Sequence, residues 1–169
     1  MHVDSSTEAT RIDSTIDIDQ FRLTPETFFN VERLANRVIF ENRNIIVHVV
    51  SKSEIHRFPI RKQPTVEDHI RILEIKDFDY SPCGGTHCSK TGEIGILKIS
   101  RHENYKGGTR LYFVCGFRAL HDYQEKTELL KQLSRALSTA EVDLTQNITK
   151  LKWDLKALTR ERNNLNKKL

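Results

Sequence analysis

No stretch of this chain is long and apolar enough to span a membrane. The longest apolar run, Ile45 to Val50, is interrupted by His48 and falls far short of the roughly 20 residues a bilayer requires. The opening MHVDSSTEAT has neither a basic region nor an apolar one, so it does not read as a secretory leader. A cytoplasmic address, with no membrane partner, is the expectation. Cysteine is scarce and odd in number: Cys83, Cys88 and Cys115. That argues for a metal site or free thiols over a disulfide framework. Proline occurs four times and glycine seven times, and neither appears after Gly116. All the glycines fall between Gly84 and Gly116, so backbone turns concentrate there.

What is present is a chain of 169 residues, 37% hydrophobic and 30% charged. This suits one compact domain with an appendage and excludes disorder throughout. The net charge of +4 is modest, but its placement is uneven. From Thr145 to Leu169 seven Lys/Arg stand against Asp154 and Glu161, while the rest nearly balances. Leu130, Leu137, Leu144, Leu151, Leu158 and Leu165, all after Gly116, recur every seven residues, the spacing of a helical seam. With no Gly or Pro to stop it, one long helix from Asp122 to Leu169 is expected, about 70 Å in length. Ser134, Glu141 and Arg162 weaken the alternate seam position. A leucine seam cannot bury itself, so a homodimer through these leucines is expected. The crowded positive charge favours an antiparallel or staggered pair.

Ahead of the tail the pattern is α+β. Ile12, Ile16 and Ile18 alternate with polar residues as in a half-buried strand over Ile12 to Ile18. Thr24 and Pro25 open a helix whose apolar stripe is Phe28, Val31, Leu34, Ala35, Val38 and Ile39. Ile45 to Val50, apolar on both faces, reads as a central strand. Residues 52 to 68 read as irregular or briefly helical, and Ile70 to Ile75 as a strand. Ile94 to Ile99 pairs with Arg110 to Cys115 through a loop holding Gly107 and Gly108. The expected division is a globular domain over 1–119 and a helix over 120–169.

Chemistry concentrates in Cys83, Gly84, Gly85, Thr86, His87 and Cys88. A thiol and an imidazole four residues apart on a glycine-rich turn suit a zinc ion, for which both are favoured ligands. By spacing alone the signal is weak, since a buried cysteine and a surface histidine are the commoner outcome. A second arrangement joins Cys83, His87, Cys88 and Cys115, although Cys115 falls in phase with Leu111 and Phe113 and suits core packing. The histidines at 48, 56, 69, 102 and 121 have no second ligand at metal spacing and read as structural. Asp13, Asp17 and Asp19 read as a solvated strand face. The basic end of the tail fits nucleic-acid phosphates and helix-dipole stabilisation equally well.

As a unit, CGGTHCSKTGEIGILKI from Cys83 to Ile99, with the basic loop Lys106 to Arg110 and the strand Leu111 to Cys115, resembles the editing-domain signature of alanyl-tRNA synthetases and of free-standing alanyl-tRNA editing proteins (AlaX-like deacylases). Leu34 to Val49, Val66 to Tyr80 and the helical tail also resemble that family. The resemblance implies an α+β editing domain with a mixed sheet and helices, followed by a long coiled-coil-like helix. It implies zinc-dependent hydrolysis of seryl or glycyl esters on alanine tRNA, because a pocket for so small an amino acid discriminates poorly and a second, hydrolytic site makes up the deficit.

The resemblance further implies a zinc ion held by an HxxxH pair and by the Cys and His of CGGTH. Cys83 and His87 match the second pair, Gly84, Gly85 and Thr86 would line the substrate pocket, and Lys106 and Arg110 would meet tRNA. No two histidines here stand four apart, and His2 is too isolated to serve. A chain starting downstream of HxxxH is therefore expected, with impaired zinc affinity and activity. The other expectation is a non-catalytic module that binds tRNA or dimerises through its leucines.

Overall fold

A computed structural model describes residues 13–21, 23–60 and 69–167. The expectations for Ile12, His2, 61–68, Lys168 and Leu169 lie outside the described residues. The chain divides after Leu120 into two compact units. The first is α+β, with β1 (Ser14–Ile18), α1 (Pro25–Phe40), β2 (Ile45–Val50), β3 (Ile70–Ile75), β4 (Asp79–Pro82), β5 (Leu97–Tyr105) and β6 (Gly108–Cys115). Its strands form two three-stranded sheets, in the orders β1-β6-β5 and β2-β3-β4, and every pairing is antiparallel.

The helix start is where Thr24 and Pro25 place it: the Thr24 hydroxyl accepts the Thr27 N–H at 3.2 Å, satisfying one of the free donors of the first turn. Only part of the expected stripe is used. Val38 and Ile39 are buried, but Val31 and Leu34 are exposed. The reason is polar. β5 is an edge strand, and an open edge needs cover. Asn36 supplies it, donating to the Leu97 carbonyl at 2.8 Å and accepting the Leu97 N–H at 2.9 Å. Glu32 accepts the Ile99 N–H and the Lys98 ammonium, each at 2.8 Å. The face of α1 turned to β5 is thus chosen by hydrogen bonds, and Val31 and Leu34 are rotated off it.

β2 also departs from expectation, since it lies at the edge of its sheet rather than the centre. Ile46, Val47 and Val49 remain exposed. The small core of this sheet is Ile55, Ile70 and Ile72, with Val50, Phe58, Ile60 and Tyr80 packed on it. Ile55 belongs to a single 3-10 turn, Ile55–Arg57, as the irregular reading of 52–60 allows. β5 begins at Leu97 instead of Ile94, because Thr91–Ile94 forms a 3-10 turn. A two-residue turn, Lys106 and Gly107, joins it to β6.

The tail is helical but not one helix. α2 (Phe117–Ala136) and α3 (Leu144–Asn166) are separated by a turn and a short 3-10 segment, Glu141–Asp143. The stop needs no glycine. Ser138 takes a left-handed conformation, φ 47°, so that the Thr139 N–H reaches the Ser134 carbonyl at 3.0 Å and the Ser138 N–H reaches that of Arg135 at 3.1 Å. This is the Schellman pattern with serine at the position glycine usually fills. α3 is 23 residues long, about 35 Å. Within this unit Leu144 is buried, whereas Leu130, Leu151, Leu158 and Leu165 are exposed. Among the described residues no helix is long and apolar enough to cross a membrane.

Candidate functional site

The β3–β4 pairing runs Ile75 with Asp79 through Ile72 with Pro82. One step further, the Cys83 N–H donates to the Arg71 carbonyl at 3.0 Å. Directly opposed residues of an antiparallel pair share a sheet face, so Arg71 and Cys83 are neighbours. From Cys83 the chain turns through Gly84, Gly85 and Thr86, all exposed, to His87. The Arg71 guanidinium follows it. One nitrogen lies 3.3 Å from the carbonyls of both Gly84 and Gly85, and the other lies 3.4 Å from His87 Nε2. On its far side the His87 ring donates from Nδ1 to the Cys88 carbonyl at 2.9 Å.

The exit from the turn is pinned to β2 and to the 3-10 segment. The Ile45 N–H reaches the Ser89 carbonyl at 2.8 Å. Glu93 collects the Ser89 hydroxyl at 2.9 Å and its N–H at 3.3 Å, and these bonds hold the Glu93 carboxyl below the usual range. Thr91, 1% exposed, donates to the Val38 carbonyl at 2.7 Å and accepts the Arg43 N–H at 2.8 Å. A fixed base therefore carries an open turn.

Residues 70–112 match the Threonyl and Alanyl tRNA synthetase second additional domain. The alanine–tRNA ligase of Pyrococcus furiosus is 34% identical over 97% of the chain, and that of Thermofilum pendens 34% over 87%. The ligase of Thermococcus kodakarensis is 38% identical over 69%. Most of this chain is thus related to alanine–tRNA ligases, and its residues 70–112 to the second additional domain. It spans less than a fifth of these relatives, 18%, 17% and 13% of their lengths.

The CGGTH turn carries two side chains of the kinds that can bind a zinc ion. The Cys83 thiol is one, half-buried at the start of the turn. The His87 ring is the other, its Nδ1 turned to the Cys88 carbonyl, the kind of second contact usual for a metal-bound imidazole. Among the described residues no group of three or more His, Cys, Asp and Glu is placed to hold a metal, so the arrangement of Cys83, His87, Cys88 and Cys115 does not form. Cys115 sits in β6 opposite Leu97, and burial raises its thiol pKa.

Arg110, expected to meet tRNA, is engaged within the chain itself. Its fork closes on Asp17 at 2.6 and 2.8 Å, and the guanidinium stacks 3.6 Å over Tyr105. Asp17 is accordingly more than a solvated residue: its hydrogen bonds to Arg110 lower its pKa, and they raise that of Arg110. Asp13 accepts the Ser100 hydroxyl at 3.0 Å. Lys106 lies in the β5–β6 turn, 5.1 Å from the Tyr105 ring. Histidines outside the turn do structural work. His48 pairs with Glu74 at 2.7 Å, His102 stacks on Phe28 at 4.1 Å, and His56 Nδ1 meets the Ser53 carbonyl at 2.6 Å. Sequence reasoning missed Arg71, Thr91 and Glu93. The register that brings Arg71 to the turn requires β4, a four-residue strand too short to show a period.

Proposed function

We propose that this domain takes part in alanyl-tRNA editing, as the part of a zinc-dependent deacylase that contributes Cys83 and His87 and removes serine or glycine wrongly esterified to alanine tRNA. The observation that carries this reading is the His87 ring, tied at Nδ1 to the Cys88 carbonyl, in the same turn as the Cys83 thiol. Bound at these donors, zinc would supply Lewis acidity towards an ester carbonyl or a water. The chain's own contribution is position and room. Gly84 and Gly85 present no side chain beside the donors, and the exposed Thr86 hydroxyl can donate to or accept from an aminoacyl group. Support for tRNA as the substrate comes from the similarity to alanine–tRNA ligases.

The test measures zinc content and deacylation of seryl- and glycyl-tRNA on one preparation, for residues 1–169 and for a form with an HxxxH segment joined ahead of residue 1. Turnover should be weak in the first and restored in the second, and Cys83→Ala or His87→Ala should lower the restored rate about 100-fold, as loss of a metal donor does. Unchanged turnover in both variants overturns the reading. A second reading, a tRNA-binding or dimerising module, draws on α3, where Leu151, Leu155 and Leu158 are exposed beside Lys150, Lys152 and Lys156. Light scattering on Leu151→Asp checks it. A homodimer through the leucines would shift to monomer, whereas a monomer at every concentration argues against self-association.

A further inference from the structure

We propose that Arg71 is the positioning residue of the Cys83–His87 turn, setting the tautomer of His87 and releasing Nε2 when a metal arrives. The register puts it opposite Cys83, and its guanidinium reaches Gly84 O, Gly85 O and His87 Nε2. All three are acceptors, and a guanidinium has only donors. Facing Arg71, Nε2 can only be the unprotonated nitrogen, so the proton sits on Nδ1, where the Cys88 carbonyl accepts it at 2.9 Å. A neutral histidine side chain in water favours the opposite tautomer, with the proton on Nε2. Arg71 and the Cys88 carbonyl therefore act together to hold the form able to bind a metal through Nε2.

The same geometry dictates an exchange. The imidazole nitrogen has one in-plane lone pair, which cannot serve Arg71 and a metal together. The Nε2 contact, at 3.4 Å, is a long one. It can be given up while the other nitrogen keeps both glycine carbonyls, so the turn retains its shape as the lone pair changes partner. A lysine cannot do this, because its single nitrogen cannot span three acceptors on two sides. The tautomer part of the proposal stands on this geometry alone, whereas the release to a metal rests on the editing reading above.

The experiment records long-range proton–nitrogen NMR spectra of His87 in the full chain at mildly alkaline pH, together with cobalt(II) binding by absorbance in the HxxxH-joined form. The unsubstituted chain should show an unprotonated Nε2. Arg71→Met should move the majority of the proton to Nε2, while Arg71→Lys should fall between; cobalt(II) binding should not weaken in Arg71→Met, because a contact given up on binding opposes the metal. If Arg71→Met does not fold, Arg71→Lys carries the test with the same readouts. An Nδ1–H tautomer unchanged in the variant overturns the proposal, since the Cys88 carbonyl alone would then set it. A tautomer that moves while the HxxxH-joined form binds no cobalt(II) sustains the positioning role and counts against the editing reading instead.

Discussion

Between Cys83 and Gly95 the chain makes two glycine-bearing turns with different surroundings. A side-chain carbon placed on Gly84 would meet nothing within 4 Å, and on Gly85 only the Cys83 sulfur at 3.9 Å. The same carbon on Gly92 would lie 2.5 Å from Asn42 Oδ1, and on Gly95, where φ is +70°, 2.8 Å from the Gly116 Cα. The fold demands glycine at Gly95, where backbone already fills the space, whereas at Gly92 the Asn42 side chain would have to move aside. In the first turn the protein's own packing does not require it. One sequence signature thus joins a structural base to an open working turn.

Gly95→Ala should bring the largest effect. A positive φ and a backbone atom at 2.8 Å act together, for a loss of about 2–4 kcal/mol in chemical denaturation. Thr91→Val follows. The isosteric change removes both hydroxyl bonds and leaves the Val38 carbonyl and the Arg43 N–H without that partner, at a cost of about 1–3 kcal/mol. Gly84→Ala should alter stability by less than about 0.5 kcal/mol while still lowering deacylation in the HxxxH-joined form. A stability loss as large as that of Gly95→Ala would erase the distinction between the turns.

The smallest effect lies outside both turns, at Asp17. Hydrogen bonds to Arg110 depress its folded pKa, so its contribution is complete above the unfolded value. It fades as pH falls from about 4 through the lower folded value. Acid titration of stability should therefore be shallower in Asp17→Asn below about pH 4 and parallel to the unsubstituted chain above it. The pair is solvent-exposed, so added salt should shrink the difference.

Much of this was legible in residue types and spacing. Thr24 followed by Pro25 fixed the start of α1, since a side-chain acceptor and a preset φ act within one turn of chain. The isoleucine-rich segment Ile70 to Ile75 became β3 over that same span. The block from Cys83 to Ile99 carried the relationship to alanyl-tRNA synthetases, because its residue types stand at fixed separations along the chain. The helix break at Ser138 was not legible. It rests on a serine in a left-handed conformation, which costs little once two backbone bonds close around it but leaves no glycine or proline to mark it.

What the sequence determined by itself is local: caps, strand composition, and a thiol and an imidazole four residues apart on a turn. Tertiary structure decided which faces those elements turn to one another. Asn36 and Glu32 set the orientation of α1 by completing the open edge of β5, and antiparallel register across a four-residue strand delivered Arg71 to His87 from 16 positions away. Such contacts depend on pairing between distant segments, and no property of the residues taken in order specifies them.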